Sequence, residues 1–167
     1  VMATFSGNNA GMEVYGISAE NLGTIPRIAN PETAEGDINR FGDGIAIGSG
    51  IARTLGVQVG DTIRIISPDG VRTAFGTSPR INAYEVTYIF TAGRYDIDKT
   101  RAYLPLAEAQ SYFNSEEAVN ELEVMVAQPD RIDDLSPAIL AAAGDTALIW
   151  TWRQASSGFL SALDIED

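Results

Sequence analysis

The sequence predicts an α+β domain. Short β-branched and aromatic runs at Ile45–Ile47, Thr62–Ile66 and Tyr84–Phe90 have the composition of strands. Apolar residues also recur at helical spacing, as in Ile51, Ala52 and Leu55, and again in Leu106, Ala109 and Phe113, with Gln110 on the same face. The two kinds of segment are mixed, often in strand–helix–strand order, which places the chain in the α+β or α/β class.

Val1 to Phe5 and Met12 to Ile17 read as strands flanking Ser6-Gly-Asn-Asn-Ala-Gly11, a polar glycine turn suited to closing a hairpin. Met12, Val14 and Gly16 alternate with Glu13, Tyr15 and Ile17, the pattern of a strand covered on both faces. Ser18 to Ile28 contains Asn21, Gly23 and Pro26 and reads as loop with at most one helical turn. Asn30 to Gly44 is acidic, glycine-punctuated and poorly periodic, a surface connection. Ile45 to Ile47 stops at glycine, as a buried strand would. Ser49 takes the N-cap position of the next helix and Gly56 its C′ position. Val57-Gln-Val-Gly-Asp61 turns the chain into the strand Thr62–Ile66.

Tyr84 to Thr91 is the next strand, Gly93 to Thr100 a turn, and Arg101 to Leu104 a short strand. Pro105 opens the helix Leu106–Phe113, at a position whose N–H is unsatisfied anyway. Leu122 to Ala127 reads as a largely buried strand. Asp130 to Ala143 places Ile132, Leu135 and Ile139 on one helical face, with acids early, where the helix dipole favours them. Pro137 implies a second helix restarted from a Ser136 cap. Thr146 to Trp152 is a strand whose end carries two tryptophans, and Ala155, Phe159, Leu160 and Leu163 stripe a last helix.

The totals exclude several functions. At 167 residues the chain is one ordinary domain, or one with an inserted subdomain. Its formal charge is −12, from 23 acidic and 11 basic side chains, which argues against a nucleic-acid surface. Lys99 is the sole lysine, and arginine's planar fork favours fixed contacts over diffuse charge. No cysteine and no histidine are present, which removes disulfides, thiolate metal sites, a cysteine nucleophile and the Ser-His-Asp triad. No apolar run is long enough to span a membrane, and no signal peptide is visible. Val1 opens in strand-like sequence without a start methionine, as a piece excised from a longer protein would. Its neighbours in that protein can be membrane-spanning.

The candidate chemical motifs are weak. Gly48-Ser-Gly50 needs a glycine at the position of Arg53 to make the dinucleotide fingerprint, and no P-loop occurs. Helix punctuation accounts for these glycines. The acidic groups Asp96/Asp98, Glu116/Glu117, Glu121/Glu123 and Asp130/Asp133/Asp134 lack the order of a calcium loop and read as solvated faces. Ser49, Ser156 and Ser157 have no histidine to serve them as base, and read as capping and turn hydroxyls.

The segment Ser67–Ala83, between two paired strands, is different. Pro68, Asp69-Gly70, Gly76 and Ser78-Pro79 are too many breakers for a buried strand, while Val71, Phe75 and Ile81 are more apolar than a linker needs. Arg64, Arg72 and Arg80 against Asp69 alone make this region locally positive within an acidic chain. A long loop in a small domain is functional or disordered. Two readings stay open on the residues alone: a protein-docking element rich in the side chains that interfaces favour, or a mobile hairpin tip of chance composition.

The order of motifs IAIGSGIARTLGVQVGDTIRI, TAFGTSP, YEVTYIFTAGRYDIDKTRAYLPLAEAQSYF, LEVMVAQPD and IWTWRQASSGFLSAL resembles the extracytoplasmic domain of a lipoprotein-releasing ABC transporter permease of the LolC/LolE family, related to the MacB and FtsX permeases. The resemblance covers nearly the whole chain. It implies a mixed α/β, MacB-like periplasmic core with a protruding β-hairpin. On that basis residues 1–167 form a single extracytoplasmic fragment, residues 67–83 the hairpin or hook, and residues 145–167 the return toward a transmembrane helix outside this chain. The resemblance also implies a bacterial inner-membrane location facing the periplasm, with no catalysis, cofactor or metal in this domain. A separate cytoplasmic ATPase drives two permease subunits, the same or different, which extract lipoprotein cargo and pass it to a soluble LolA-like periplasmic carrier.

Carrier-binding residues carried over from the resemblance are Arg64, Pro68, Arg72, Phe75, Gly76, Pro79 and Arg80. The family's basal patch has a basic residue that matches Arg64. Its polar and basic positions on the returning strand fall near Ile81 and Asn82, where this chain departs from the pattern and Arg80 is the substitute. Phe5, Met12 and Phe159 are candidates for apolar surface sheltering acyl chains. Two alternatives predict different features. A permease relative serving efflux or cell-wall hydrolase control lacks the hairpin, and a small barrel enzyme or ligand-binding module has a deep pocket with converging polar groups.

Overall fold

The computed structural model describes residues 1–73, 76–144 and 146–157, without the side chains at 69, 71–73 and 77. The chain divides into two units, Val1–Asn120 and Glu121–Asp167. The first unit begins with strands β1 (Met2–Phe5), β2 (Asn8–Gly11) and β3 (Glu13–Ile17), then one-turn helices α1 (Ala19–Leu22) and α2 (Pro26–Ala29). Next come β4 (Thr33–Gly36), a 3-10 turn over Ile38–Asp43, β5 (Ile45–Gly48) and α3 (Ser49–Leu55). The long strands β6 (Thr62–Thr73) and β7 (Gly76–Thr91), helix α4 (Tyr95–Thr100), β8 (Arg101–Pro105) and helix α5 (Leu106–Phe113) complete it. This is the α+β fold that the residues predict.

The strands form a mixed sheet in the order β2-β1-β6-β7-β5-β8-β3, with β4 on β7 as a side branch. Pairs β3–β8 and β5–β7 are parallel, and the other pairs are antiparallel. The β5 run Ile45-Ala46-Ile47-Gly48 is buried throughout because both faces are covered. Ile45, Ile47, Val86, Ala102 and Leu104 join Ile51 and Leu55 of α3 and Tyr112 of α5 in one core. On the opposite face Ala46, Tyr88, Phe90 and Tyr103 join Leu22, Ile28 and Phe41 in another. A two-sided core explains why these strands read as continuous apolar runs.

Several sequence expectations are corrected. The hairpin partner of β1 is β2, drawn from within the expected turn, so the reversal shrinks to Ser6 and Gly7, both at positive φ. β3 instead lies parallel to β8 at the end of the sheet. Residues 18–28 contain α1 and the start of α2, two helical turns where at most one is expected. The supposed surface connection before β5 contains β4 and the fully buried Phe41, a structural segment hidden by its acidic composition. Gly48, not Ser49, is the N-cap of α3, because the strand passes into the helix without a spacer; Gly56 does take the left-handed position at φ 72° and ψ 36°. Gly93–Thr100 contains α4, and Pro105 ends β8 as the N-cap of α5. On α5, Tyr112 is buried in place of Phe113.

The second unit has a 3-10 turn at Pro129–Arg131, helix α6 (Ile132–Ala143) and helix α7 (Trp152–Ala155). Pro137 lies inside a continuous α6, and the Ser136 hydroxyl donates to the Ile132 carbonyl at 2.6 Å instead of capping a second helix. Neither expected strand forms at residues 122–127 or 146–152, and Leu122, Met125, Leu148 and Trp150 are exposed. Apolar and β-branched composition alone cannot make a strand without a neighbour to share its ladder. α7 starts on a reciprocal capping box of Thr151 and Gln154. The last-helix residues Phe159, Leu160 and Leu163 lie outside the described residues, as do residues 145 and 158–167 of the expected return at 145–167.

Candidate functional site

The strands β6 and β7 make one antiparallel hairpin whose two ends are built differently. Thr62 to Ser67 pair with Glu85 to Arg80 in unbroken register. Along β6, Ile63, Ile65 and Ser67 are buried while Arg64 is exposed, so one face of the ladder rests on the core and the other is bare. β1 flanks this part through Thr4, Ala3 and Met2 opposite Arg64, Ile65 and Ile66. β1 pairs no further than Ile66.

Beyond the Ser67–Arg80 rung the register shifts. Pairing resumes at Val71–Ser78, Arg72–Thr77 and Thr73–Gly76. Pro68, Asp69 and Gly70 therefore face Pro79 alone, a bulge that bends and twists the ribbon. Gly70 is required there: a Cβ at that position would lie 1.5 Å from the Ser78 carbonyl oxygen. In the described register the segment beyond this bulge pairs with itself and with no third strand, and Pro68, Gly76, Ser78 and Pro79 are exposed. At about 3.3 Å per residue, the six steps from Ser67 to Thr73 reach roughly 20 Å.

The structure brings Arg64, Pro68, Gly76 and Pro79 onto this hairpin as exposed residues. Phe75 and the Arg72 side chain lie outside what is described. Arg80 is half-buried, and its guanidinium Nη1 bonds the backbone of α5. On the bare face the register sets Met2, Ile66 and Ile81 side by side across three strands, in the row next to Arg64. Met2 is 42% exposed and Ile81 54% exposed. The Ile66–Ile81 pair thus makes an apolar patch beside a single arginine. Met2 and Ile66 went unnoticed in the sequence because the contact that groups them is the β1–β6 pairing, which no local pattern announces.

The hairpin root is fastened to the body by α5. Arg80 Nη1 donates to the Ser111 carbonyl at 3.2 Å and also to the Tyr112 carbonyl, satisfying two acceptors of the last helical turn. The Tyr112 hydroxyl donates back to the Arg80 carbonyl at 3.3 Å, and the Ser67 backbone bonds the same hydroxyl. Tyr84 meets Tyr112 edge to face with ring centroids 6.4 Å apart, and Asn82 Nδ2 donates to the Tyr84 hydroxyl at 3.2 Å. Burial, aided by Tyr84, raises the Tyr112 hydroxyl above its ordinary pKa, and Arg80 pulls it partly back. Burial also raises Tyr84, opposed by the Asn82 hydrogen bond.

The remaining sequence candidates are dispersed. Asp98, read as solvated, is buried, and its carboxylate accepts from the Ala92 N–H at 2.6 Å as part of the turn into α4. Asp96 faces solvent and pairs with Arg94 at 2.8 Å. Met12 belongs to the core and Phe5 packs against it, so Met12 is no acyl-sheltering surface, while Phe159 lies outside the described residues. In the second unit a cavity of about 440 Å³ is lined by Pro137, Leu140, Ala141, Gly144 and Ala147, with no charged side chain in its wall.

Residues 2–142 match the family model described as the MacB-like periplasmic core domain. A lipoprotein-releasing system transmembrane protein LolC from Neisseria meningitidis serogroup B is 25% identical over 123 residues, which cover 73% of this chain and 30% of the relative. The protein of the same name from Xylella fastidiosa strain Temecula1 is 24% identical over 122 residues, 73% of this chain and 29% of the relative. The matched stretch thus spans less than a third of the length of these curated relatives. Among the described residues no helix is long and apolar enough to cross a membrane.

Proposed function

The chain belongs to the MacB-like periplasmic core domain family, and from that premise we propose that it is the carrier-docking domain of a lipoprotein-releasing permease. The β6–β7 ribbon enters a groove on a soluble, LolA-like periplasmic carrier, and the bare face around Arg64, Met2, Ile66 and Ile81 meets the carrier at the ribbon's base. Lipoprotein cargo drawn from the inner membrane then passes to that carrier. Force for extraction comes from a cytoplasmic ATPase acting through the membrane part of the permease, which works with a second permease subunit. This domain contributes recognition and no bond chemistry.

One observation carries the reading. The ribbon beyond Ser67 and Arg80 pairs only with itself in the described register while its exposed residues face solvent, so it is backbone built without a purpose in the domain's own core. A carrier must leave after loading, and a narrow ribbon with a small base gives a contact at the weak end of specific interfaces. Arg64 fixes approach more than affinity. The relatives named as LolC proteins of lipoprotein-releasing systems support the choice of a lipoprotein-releasing permease.

Deleting Thr73 to Ser78 and closing the ribbon with a two-residue turn tests this. The shortened domain is expected to melt with the parent and to lose retention of a purified LolA-type carrier on an affinity column. Undiminished retention by the shortened, folded domain would defeat the proposal.

A further inference from the structure

We propose that Arg80 and Tyr112 form a latch that sets the direction in which the distal ribbon leaves the body. Arg80 is then a positioning residue, and its side chain is no part of the surface a partner touches. The latch acts on one rung. Ser67 and Arg80 are the last pair in register before the bulge. Arg80 reaches across to the Ser111 and Tyr112 carbonyls, and the Tyr112 hydroxyl returns to the Arg80 carbonyl. Helix and rung are therefore tied in both directions, by one charged guanidinium nitrogen on two helix carbonyls and by a buried phenol on the ladder.

The position of this tie gives it leverage. One residue further out, Pro68, Asp69 and Gly70 face Pro79 alone, and the Gly70–Ser78 backbone crossing is too close for any side chain. Such a bulge has a fixed bend, so its direction in space is inherited from the rung beneath it. β1 has already ended its pairing at Ile66. Tyr112, itself held in the core against Tyr84, is what the last rung rests on. Freed from α5, the rung can twist, and a small rotation there becomes a large displacement at the tip.

The consequence for docking rests on the carrier reading; the latch itself does not. Only ribbons aimed correctly can bind, so apparent affinity falls in proportion to their fraction. Carrier affinity drops roughly tenfold if the aimed fraction falls to about one tenth.

The chain has no cysteine, so spin labels can be placed cleanly at Arg53→Cys on α3 and Ser78→Cys on the ribbon, both exposed sites. Pulsed dipolar distances are read without carrier, with thermal melting confirming a folded body. The parent is expected to give one narrow distance population. Arg80→Ala and Tyr112→Phe should broaden it, the latter losing a single hydroxyl while keeping the ring in the core. Arg80→Lys should fall between, because a flexible ammonium stem places its donors less firmly than a planar guanidinium. A distribution equally narrow in Arg80→Ala and Tyr112→Phe overturns the latch. Weaker carrier binding with an unchanged distribution also overturns it, and makes Arg80 a contact residue. A broadened ribbon in a domain that never binds carrier leaves the latch standing and removes the carrier reading.

Discussion

The two halves of β7 are one continuous strand in two settings. From Tyr84 to Thr91 it has β5 and β4 alongside, and Val86, Tyr88, Ile89 and Phe90 are buried in cores on both faces. From Gly76 to Ala83 it has β6 alone, with Ser78, Pro79, Ile81, Asn82 and Ala83 exposed. The first half holds the domain together; the second is available to something else. The difference is one of neighbours, since the backbone is extended throughout. A strand kept in the fold only by its own hairpin partner is stable because the other half anchors it, and its sequence is free to serve recognition.

Substitutions should separate the halves. Phe90→Ala removes a fully buried ring packed on Tyr88 and Tyr103 and is expected to lower unfolding free energy by about 3–5 kcal/mol in a denaturant titration. A matched pair of glycines sharpens the contrast. A Cβ on Gly44 would meet the Glu85 carbonyl oxygen at 2.2 Å, and one on Gly70 the Ser78 carbonyl oxygen at 1.5 Å. Although the second clash is closer, Gly44→Ala is expected to cost about 2 kcal/mol of global stability. Gly70→Ala should leave the melting transition nearly in place and instead speed hydrogen exchange in the ribbon. Equal global losses from the two would break the comparison.

The boundary between the halves responds to alkali. Tyr112 and Tyr84 have hydroxyls raised above the ordinary value of 10.0, chiefly by burial. The folded domain keeps protons that the unfolded chain releases, so this contribution is complete below that value and is lost as pH rises through the folded pKa values. Denaturation midpoints between roughly pH 8 and pH 11 should fall at the alkaline end, and less steeply in Tyr112→Phe. The smallest effect is expected on the surface beside the boundary. Arg40 and Glu85 pair at 3.1 Å with side chains 49% and 40% exposed, and Glu85→Gln should change stability by less than about 1 kcal/mol.

Local chemistry made much of this legible in advance. The β-branched run of β5, the left-handed glycine after α3 and the strand composition of inner β7 each carry their own signal within a few residues. The breaker-rich stretch Ser67–Ala83, which supplies the outer ends of β6 and β7, likewise marked itself, since two prolines and two glycines do not suit a buried strand interior. What could not be read is set by distant contact. β2 is Asn-Asn-Ala-Gly, poor strand sequence that is extended because β1 offers a ladder. Phe41 is buried by strands far from its own polar neighbourhood, and Asp98 turns inward to hold the Ala92 N–H. Leu122–Ala127 has the apolar composition of a buried strand and forms none among the described residues. Arg80 has the residue type of an interface, and the hydrogen bonds it makes inside the domain were hidden because their acceptors lie 31 and 32 residues away on α5.

Hydrogen exchange of the isolated domain with and without a LolA-type carrier tests the central claim most directly. The account predicts new protection of amides in the ribbon beyond Ser67 and Arg80 and at the base near Ile66 and Ile81, with inner β7 unchanged because it is already protected. Carrier-induced protection elsewhere on the domain, with the ribbon exchanging as freely as before, would contradict it.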